Sequence, residues 1–267
     1  MIESPRIAIV GVGSIGSRHI DNLLAMGYQD LVGVDPRPMP HETRLPIVQS
    51  FEGVNYGGIT HVVICSPPEL HYKHASYFLE QGIPTFVEKP LAVNSHHANE
   101  LLWAAAEHNT YIAVGYMERA HPVVKQANEF IEEHGCIKAE ICCYWMATQK
   151  TYNLDIAQES SHAIDLAMFL LGPALLKASH KEGNEVTIRT DFDGGATCVI
   201  RMNMHEWPRR VLNLRGRDGE QFREMYGETQ EEWDACYKAE LQAFLDGKPL
   251  CTGEAGLRVV EILEEMK

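Results

Sequence analysis

Short apolar runs alternate with longer amphipathic stretches through the first 118 residues. Arg6–Val10 runs into glycines and reads as a buried strand, and Leu31–Val34, His61–Cys65, Pro84–Val87 and Tyr111–Val114 repeat the pattern. Between them, the segment after Gly13 predicts a helix with Ile20, Leu23, Leu24 and Gly27 on one face. Further helices are predicted over Glu69–Gln81, closed by Gly82, and over Ser95–His108. Strand–helix alternation with wholly apolar strands predicts a parallel sheet covered on both faces.

Past Glu118 the periodicity changes. Val123–Glu133 is an amphipathic helix, Ala139–Trp145 alternates like a strand, and a helix from about Glu159 to Leu171 ends at Gly172-Pro173. Strands follow near Val186–Thr190, Ala196–Met202 and Arg210–Arg215, separated by Asp-Gly turns, and two helices close the chain over Glu231–Leu245 and Glu254–Glu265. The expected fold class is α/β, with a parallel-sheet domain over residues 1–118. A smaller α+β domain with an open, largely antiparallel sheet follows over residues 119–267, its final helices able to pack back on the first domain. Too few helices remain to cover both faces of the second sheet, so an apolar face is expected to be buried in a homodimer or homotetramer.

Charge and composition narrow the function. A formal net charge of −14 over 267 residues argues against nucleic-acid binding, which needs a basic surface. No run approaches the ~20 apolar residues of a membrane helix, and Met1–Pro5 lacks the start of a signal peptide, so no membrane association and a cytoplasmic location are expected. The 7 cysteines include no C-x-x-C, which points to no disulfide framework and no metal site.

Gly11-Val12-Gly13-Ser14-Ile15-Gly16 follows the first strand and opens the first helix, and Asp35 ends the second strand about twenty residues on. That context is the Rossmann dinucleotide fingerprint. Gly11 allows the turn, Gly13 admits the pyrophosphate, Gly16 lets helix and strand pack, and the helix start presents free N–H groups to phosphate. Asp35 accepts from ribose hydroxyls and favours NAD, whereas Arg37 just beyond could hold the 2′-phosphate of NADP.

With this loop, Ser66-Pro67-Pro68-Glu69-Leu70-His71 and Glu88-Lys89-Pro90 resemble the Gfo/Idh/MocA family of oxidoreductases. So do Val114–Pro122, Glu159–Leu166 and Tyr237–Leu245. The resemblance implies a cofactor-binding role for Ser66, Pro67, Glu88 and Lys89 and a place at that site for His71, as a cap of the helix after Pro68. It makes His162 the general acid/base, beside Lys89 at the junction of cofactor and substrate. From the residues themselves, an ammonium past a strand's carboxyl end can stabilise charge on a reacting oxygen. Glu159, His162 and Asp165 recur along one helical face, where carboxylates can orient an imidazole. Arg119 and His121 stand where a polar substrate could be gripped, with Glu159 and Asp165 also lining its site. Two departures stand out: Gln158 replaces an aspartate common four residues before the histidine, and the second domain is short. The reading is a hydride-transferring dehydrogenase of a sugar or nucleotide-sugar-like substrate. Its alternatives are a reductase of another carbonyl or imine and a non-catalytic NAD-binding regulator.

Overall fold

The computed structural model describes residues 5–37, 45–50, 58–146, 156–182, 185–205 and 209–266. The chain divides into two compact units, Met1–Tyr116 with Tyr237–Val260, and Met117–Cys236 with Glu261–Lys267.

The apolar runs of the first unit become strands β1 (Arg6–Val10), β2 (Leu31–Val34), β4 (Ile59–Ile64), β5 (Thr85–Glu88) and β6 (Ile112–Gly115), joined by the two-residue β3 (Ile47–Val48). Every residue of β2, β5 and β6 is buried, as strands covered on both faces require. All pairings are parallel, in the order β3-β2-β1-β4-β5-β6. The chain first winds outward from β1 through β2 to β3, then returns to place β4 on the other side of β1. Ligands of such sheets bind at this switch, beyond the strands' carboxyl ends.

Helices α1 (Ser14–Ala25), α2 (Pro68–Leu79) and α3 (Ser95–Glu107) connect the strands. The expected α1 face is corrected at its end. The helix stops at Ala25, and Gly27 adopts φ +95°, so it terminates the helix and the buried face is Gly16, His19, Ile20 and Leu23. Residues from the end of the chain complete this unit. Leu241 and Phe244 of α6 (Gln230–Leu245) enter the core with Ile7, Ile9 and Phe86. The Tyr111 hydroxyl donates to the Phe244 carbonyl at 2.7 Å. Just before α7 (Gly253–Glu265), Thr252 bridges to Ala113, and the Val114 N–H donates to the Cys251 carbonyl at 3.0 Å.

The second unit opens with a 3₁₀ turn over Met117–Ala120 and α4 (Pro122–His134). A mixed sheet follows from β7 (Lys138–Met146), β8 (Ala174–Glu182), β9 (Glu185–Phe192), β10 (Thr197–His205), β11 (Arg209–Arg215) and β12 (Gln221–Tyr226). Its order is β12-β11-β7-β10-β9-β8, antiparallel except for the parallel pair β7–β10. Strands β8 and β12 were not expected. Helix α5 (Ile156–Leu171) packs on β7 and β10, where Ile141, Cys143, Ile200 and Met202 are buried beside Ala163, Leu166 and Ala167.

The second face, expected to be apolar, is mixed: Glu140, Arg201, Asn213 and Arg223 line a cavity of about 510 Å³ on it together with Cys142, Val211 and Met225. There Arg201 Nε and Asn213 Nδ2 donate to the two oxygens of Glu140, at 2.9 and 3.2 Å. All seven cysteines are buried and free. Among the described residues no helix is long and apolar enough to cross a membrane.

Candidate functional site

At the switch, the carboxyl ends of β1, β2 and β4 surround a cavity of about 680 Å³. Gly11, Gly13, Asp35, Arg37, Ser66 and Pro67, all singled out from the sequence, line it. The cavity also takes Gln49, Ser50, Lys73 and His74, which the sequence reading missed. Lys73 and His74 follow Leu70 at i+3 and i+4 on α2, so a helical-face reading from Leu70 would have found them.

The three glycines do different work. Gly11 has φ +89°, and a Cβ there would lie 2.7 Å from the Ser66 backbone nitrogen. A Cβ on Gly16 would collide with the Gly11 carbonyl, so Gly16 is required for α1 to approach its strand. Gly13 differs: its nearest neighbour to a Cβ would be Arg37 Nη2 at 3.6 Å. Among the described residues nothing requires a glycine there, and Gly13 lines the cavity. Ser14, exposed, and Ile15, packed at the edge of the core, form the first turn of α1. That turn carries no acidic residue, and Gly13 provides no side-chain cap. Its amides are therefore available to an anion. Together with Asp35, these features fit a dinucleotide.

Asp35 is 2% exposed and accepts from the Val12 N–H at 2.9 Å. Arg37 folds back on it, donating from its backbone and Nε at 3.0 Å and from Nη2 at 2.9 Å. Hydrogen bonding from Arg37 outweighs burial and holds the Asp35 carboxyl down at about 2. Ser66 Oγ pairs with His74 Nδ1 at 2.9 Å, and burial brings the His74 pKa down to about 4.

His71 does not act as the helix cap expected of it. Buried, it places Nδ1 2.8 Å from the Pro90 carbonyl oxygen and Nε2 2.8 Å from that of Ser66, fixing the Ser66 turn against the segment after Lys89. Glu88 contacts His19 of α1, Oε1 to Nε2 at 2.7 Å, and accepts the Lys89 N–H on Oε2 at 3.2 Å. Glu240 of α6 brings its carboxylate to the same buried cluster, the three groups having atoms within 4.8 Å of one another. Lys89 itself is half-buried, immediately past β5.

In the second unit, Arg119 and Asp165 face each other, with Nη2–Oδ1 at 2.6 Å and Nε–Oδ2 at 2.9 Å, both side chains at most 8% exposed. His121 caps α4, its Nδ1 accepting from the Val123 N–H at 3.2 Å, and its ring lies 4.6 Å from that of Tyr226. Burial lowers its pKa. His162 is buried on α5, while the side chains of Gln158 and Glu159 on that helix lie outside the described residues. A network the sequence did not announce joins Glu118 to Arg210 Nε and to the Tyr226 hydroxyl, each at 3.0 Å and all buried.

Residues 5–116 match the family described as "Oxidoreductase family, NAD-binding Rossmann fold" (GFO_IDH_MocA). The chain is 24% identical over 124 residues to UDP-N-acetylglucosamine 3-dehydrogenase of Acidithiobacillus ferrooxidans, covering 45% of this chain and 39% of that protein. It is 29% identical over 122 residues to the myo-inositol dehydrogenase Hyg17 of Streptomyces leeuwenhoekii, covering 43% and 38%. The matched segment thus spans well under half the length of each relative. In structure, the chain is similar to the WlbA dehydrogenase of Chromobacterium violaceum, solved with NADH and UDP-GlcNAcA. The TM-score is 0.81 at 18% identity, over 100% of this chain and 94% of that one, a likeness of fold.

Proposed function

We propose that the chain is an NAD-dependent dehydrogenase or reductase, since its residues 5–116 match the Gfo/Idh/MocA oxidoreductase family. Its substrate is a sugar or nucleotide sugar, reacting at a secondary-alcohol carbon. The observation that carries this reading is the cavity at the sheet's switch, where Gly13 leaves space and Asp35 stands ionised. Bound nicotinamide supplies or accepts a hydride; the chain's own residues hold the dinucleotide and handle the reacting oxygen and its proton. The first-turn amides of α1 receive the pyrophosphate and Asp35 the ribose, with NADP as the alternative cofactor. The Lys89 ammonium stabilises negative charge on the substrate oxygen, and His162 moves the proton. The named activities of the two relatives, and the nucleotide sugar in the WlbA complex, support the substrate class.

Titration of the protein with NADH by nicotinamide fluorescence tests the cofactor, and a panel of sugars and nucleotide sugars, followed by nicotinamide absorbance, tests the reaction. Saturable binding with turnover on a panel member is expected. Binding without turnover on any member, or on other carbonyl and imine substrates, would leave the regulator. That second reading is favoured by Arg119 and Asp165, which engage each other rather than stand open. The same proposal has the enzyme working in the cytoplasm as a homodimer or homotetramer, joined through the Glu140–Arg201 face of the second sheet.

A further inference from the structure

An ionised carboxylate offers about four lone-pair positions. On Asp35 four donors already occupy them. Oδ1 accepts from the Arg37 backbone N–H and from Nε, both at 3.0 Å, and Oδ2 accepts from the Val12 N–H and from Arg37 Nη2, both at 2.9 Å. Two of these donors are backbone amides, fixed by the course of the chain after β1 and β2. The other two belong to a guanidinium whose side chain is 68% exposed, gripping a carboxylate that is 2% exposed. Both residues line the cavity. A ribose hydroxyl donating to Asp35 therefore finds its acceptor positions filled, and only the guanidinium can yield them.

We propose that Arg37 is a latch on the ribose pocket, which a dinucleotide must open before its adenosine ribose can dock on Asp35. The inference rests on the cofactor reading above and adds a residue that sets how strongly that cofactor is held and selected. Affinity for a plain ribose is reduced by the fraction of time the latch is closed. A ribose bearing a 2′-phosphate stands in the opposite relation, since the phosphate engages the guanidinium itself and gains a partner as the latch opens. Arg37 thus weakens NAD(H) and supports NADP(H), narrowing the preference that Asp35 alone would impose.

The test is to titrate wild type, Arg37→Gln and Arg37→Lys with NADH and with NADPH by nicotinamide fluorescence. Arg37 is exposed and Asp35 keeps its two backbone donors, so both variants retain the fold. Arg37→Gln should bind NADH about three- to thirtyfold more tightly than wild type and NADPH more weakly. Arg37→Lys keeps the charge but cannot fork across both oxygens, so it too should tighten NADH. NADH affinity in Arg37→Gln that is unchanged within about twofold, or weaker, overturns the latch while leaving the cofactor reading intact. Tightening in Arg37→Gln with wild-type behaviour in Arg37→Lys also overturns it, because charge rather than the fork would then be responsible. If neither wild type nor Arg37→Gln binds either dinucleotide, the latch and the cofactor reading fall together.

Discussion

At the scale of single residues, Gly13 and Gly16 make opposite predictions although they share one motif. Gly16→Ala should destabilise the protein by an amount visible in thermal melting, because its Cβ meets the Gly11 carbonyl. Gly13→Ala should melt like wild type yet bind NADH at least about tenfold more weakly, because its Cβ enters only the cavity. Equal NADH binding by wild type and Gly13→Ala would show that the dinucleotide does not approach there. Lys89→Met should abolish turnover and leave NADH affinity within a few-fold, and near-normal turnover would remove Lys89 from the chemistry. Asp35 also fixes a pH dependence. Its carboxyl is lowered from 3.8 to about 2, so the charge persists above that range and is lost only as pH falls through it. NADH affinity should therefore stay flat from about pH 5 to 9, and a step within that window would assign ribose recognition to another group. The glycines and Asp35 were legible in the sequence because the motif encodes backbone geometry within one short segment. Gln49 and Ser50 were not, since they reach the cavity from a separate segment that only the fold brings there.

Among the elements, those with strong periodicity were legible and those with weak periodicity were not. The five apolar strands of the first sheet and α3–α7 stand close to where the pattern puts them. Strand β12, with one buried residue at Tyr226 among six, lies at a sheet edge and has little alternation to read. Beyond its pairing with β11, a buried polar network ties it down: Glu118 joins the 3₁₀ turn to Arg210 of β11 and Tyr226 of β12. Burial opposes the Arg210 charge, and the Glu118 carboxylate more than compensates, so the guanidinium stays protonated. Removing one partner strands the other charge. Arg210→Met should lower stability by about 3–5 kcal/mol, against about 1–3 kcal/mol for Tyr226→Phe, read from urea melts. Pairing Glu118→Leu with Arg210→Met should restore much of the loss, and a double variant no better than Arg210→Met would mean that the stranded charge is not the cause.

For the whole molecule, the second sheet changes the argument for assembly. A wholly apolar face would drive association in any buffer, whereas this face sets Glu140, Arg201 and Arg223 among Val211 and Met225, so matched charges would add a salt-sensitive share to its association. Light scattering should give a dimer or tetramer at low ionic strength, shifting toward monomer as salt rises from about 0.1 to 1 M. A monomer at every salt concentration would dispose of the assembly. The return of the chain's last segment to the first unit carries a different consequence, one of timing. Leu241, Phe244 and Thr252 complete a core and a sheet edge whose other members end at Tyr116. A ribosome adding about 5–20 residues each second needs roughly ten seconds to cover that interval. Throughout it the nascent first unit carries an unfilled apolar seam beside Ile7 and Phe86, open to chaperones until the closing helix leaves the exit tunnel.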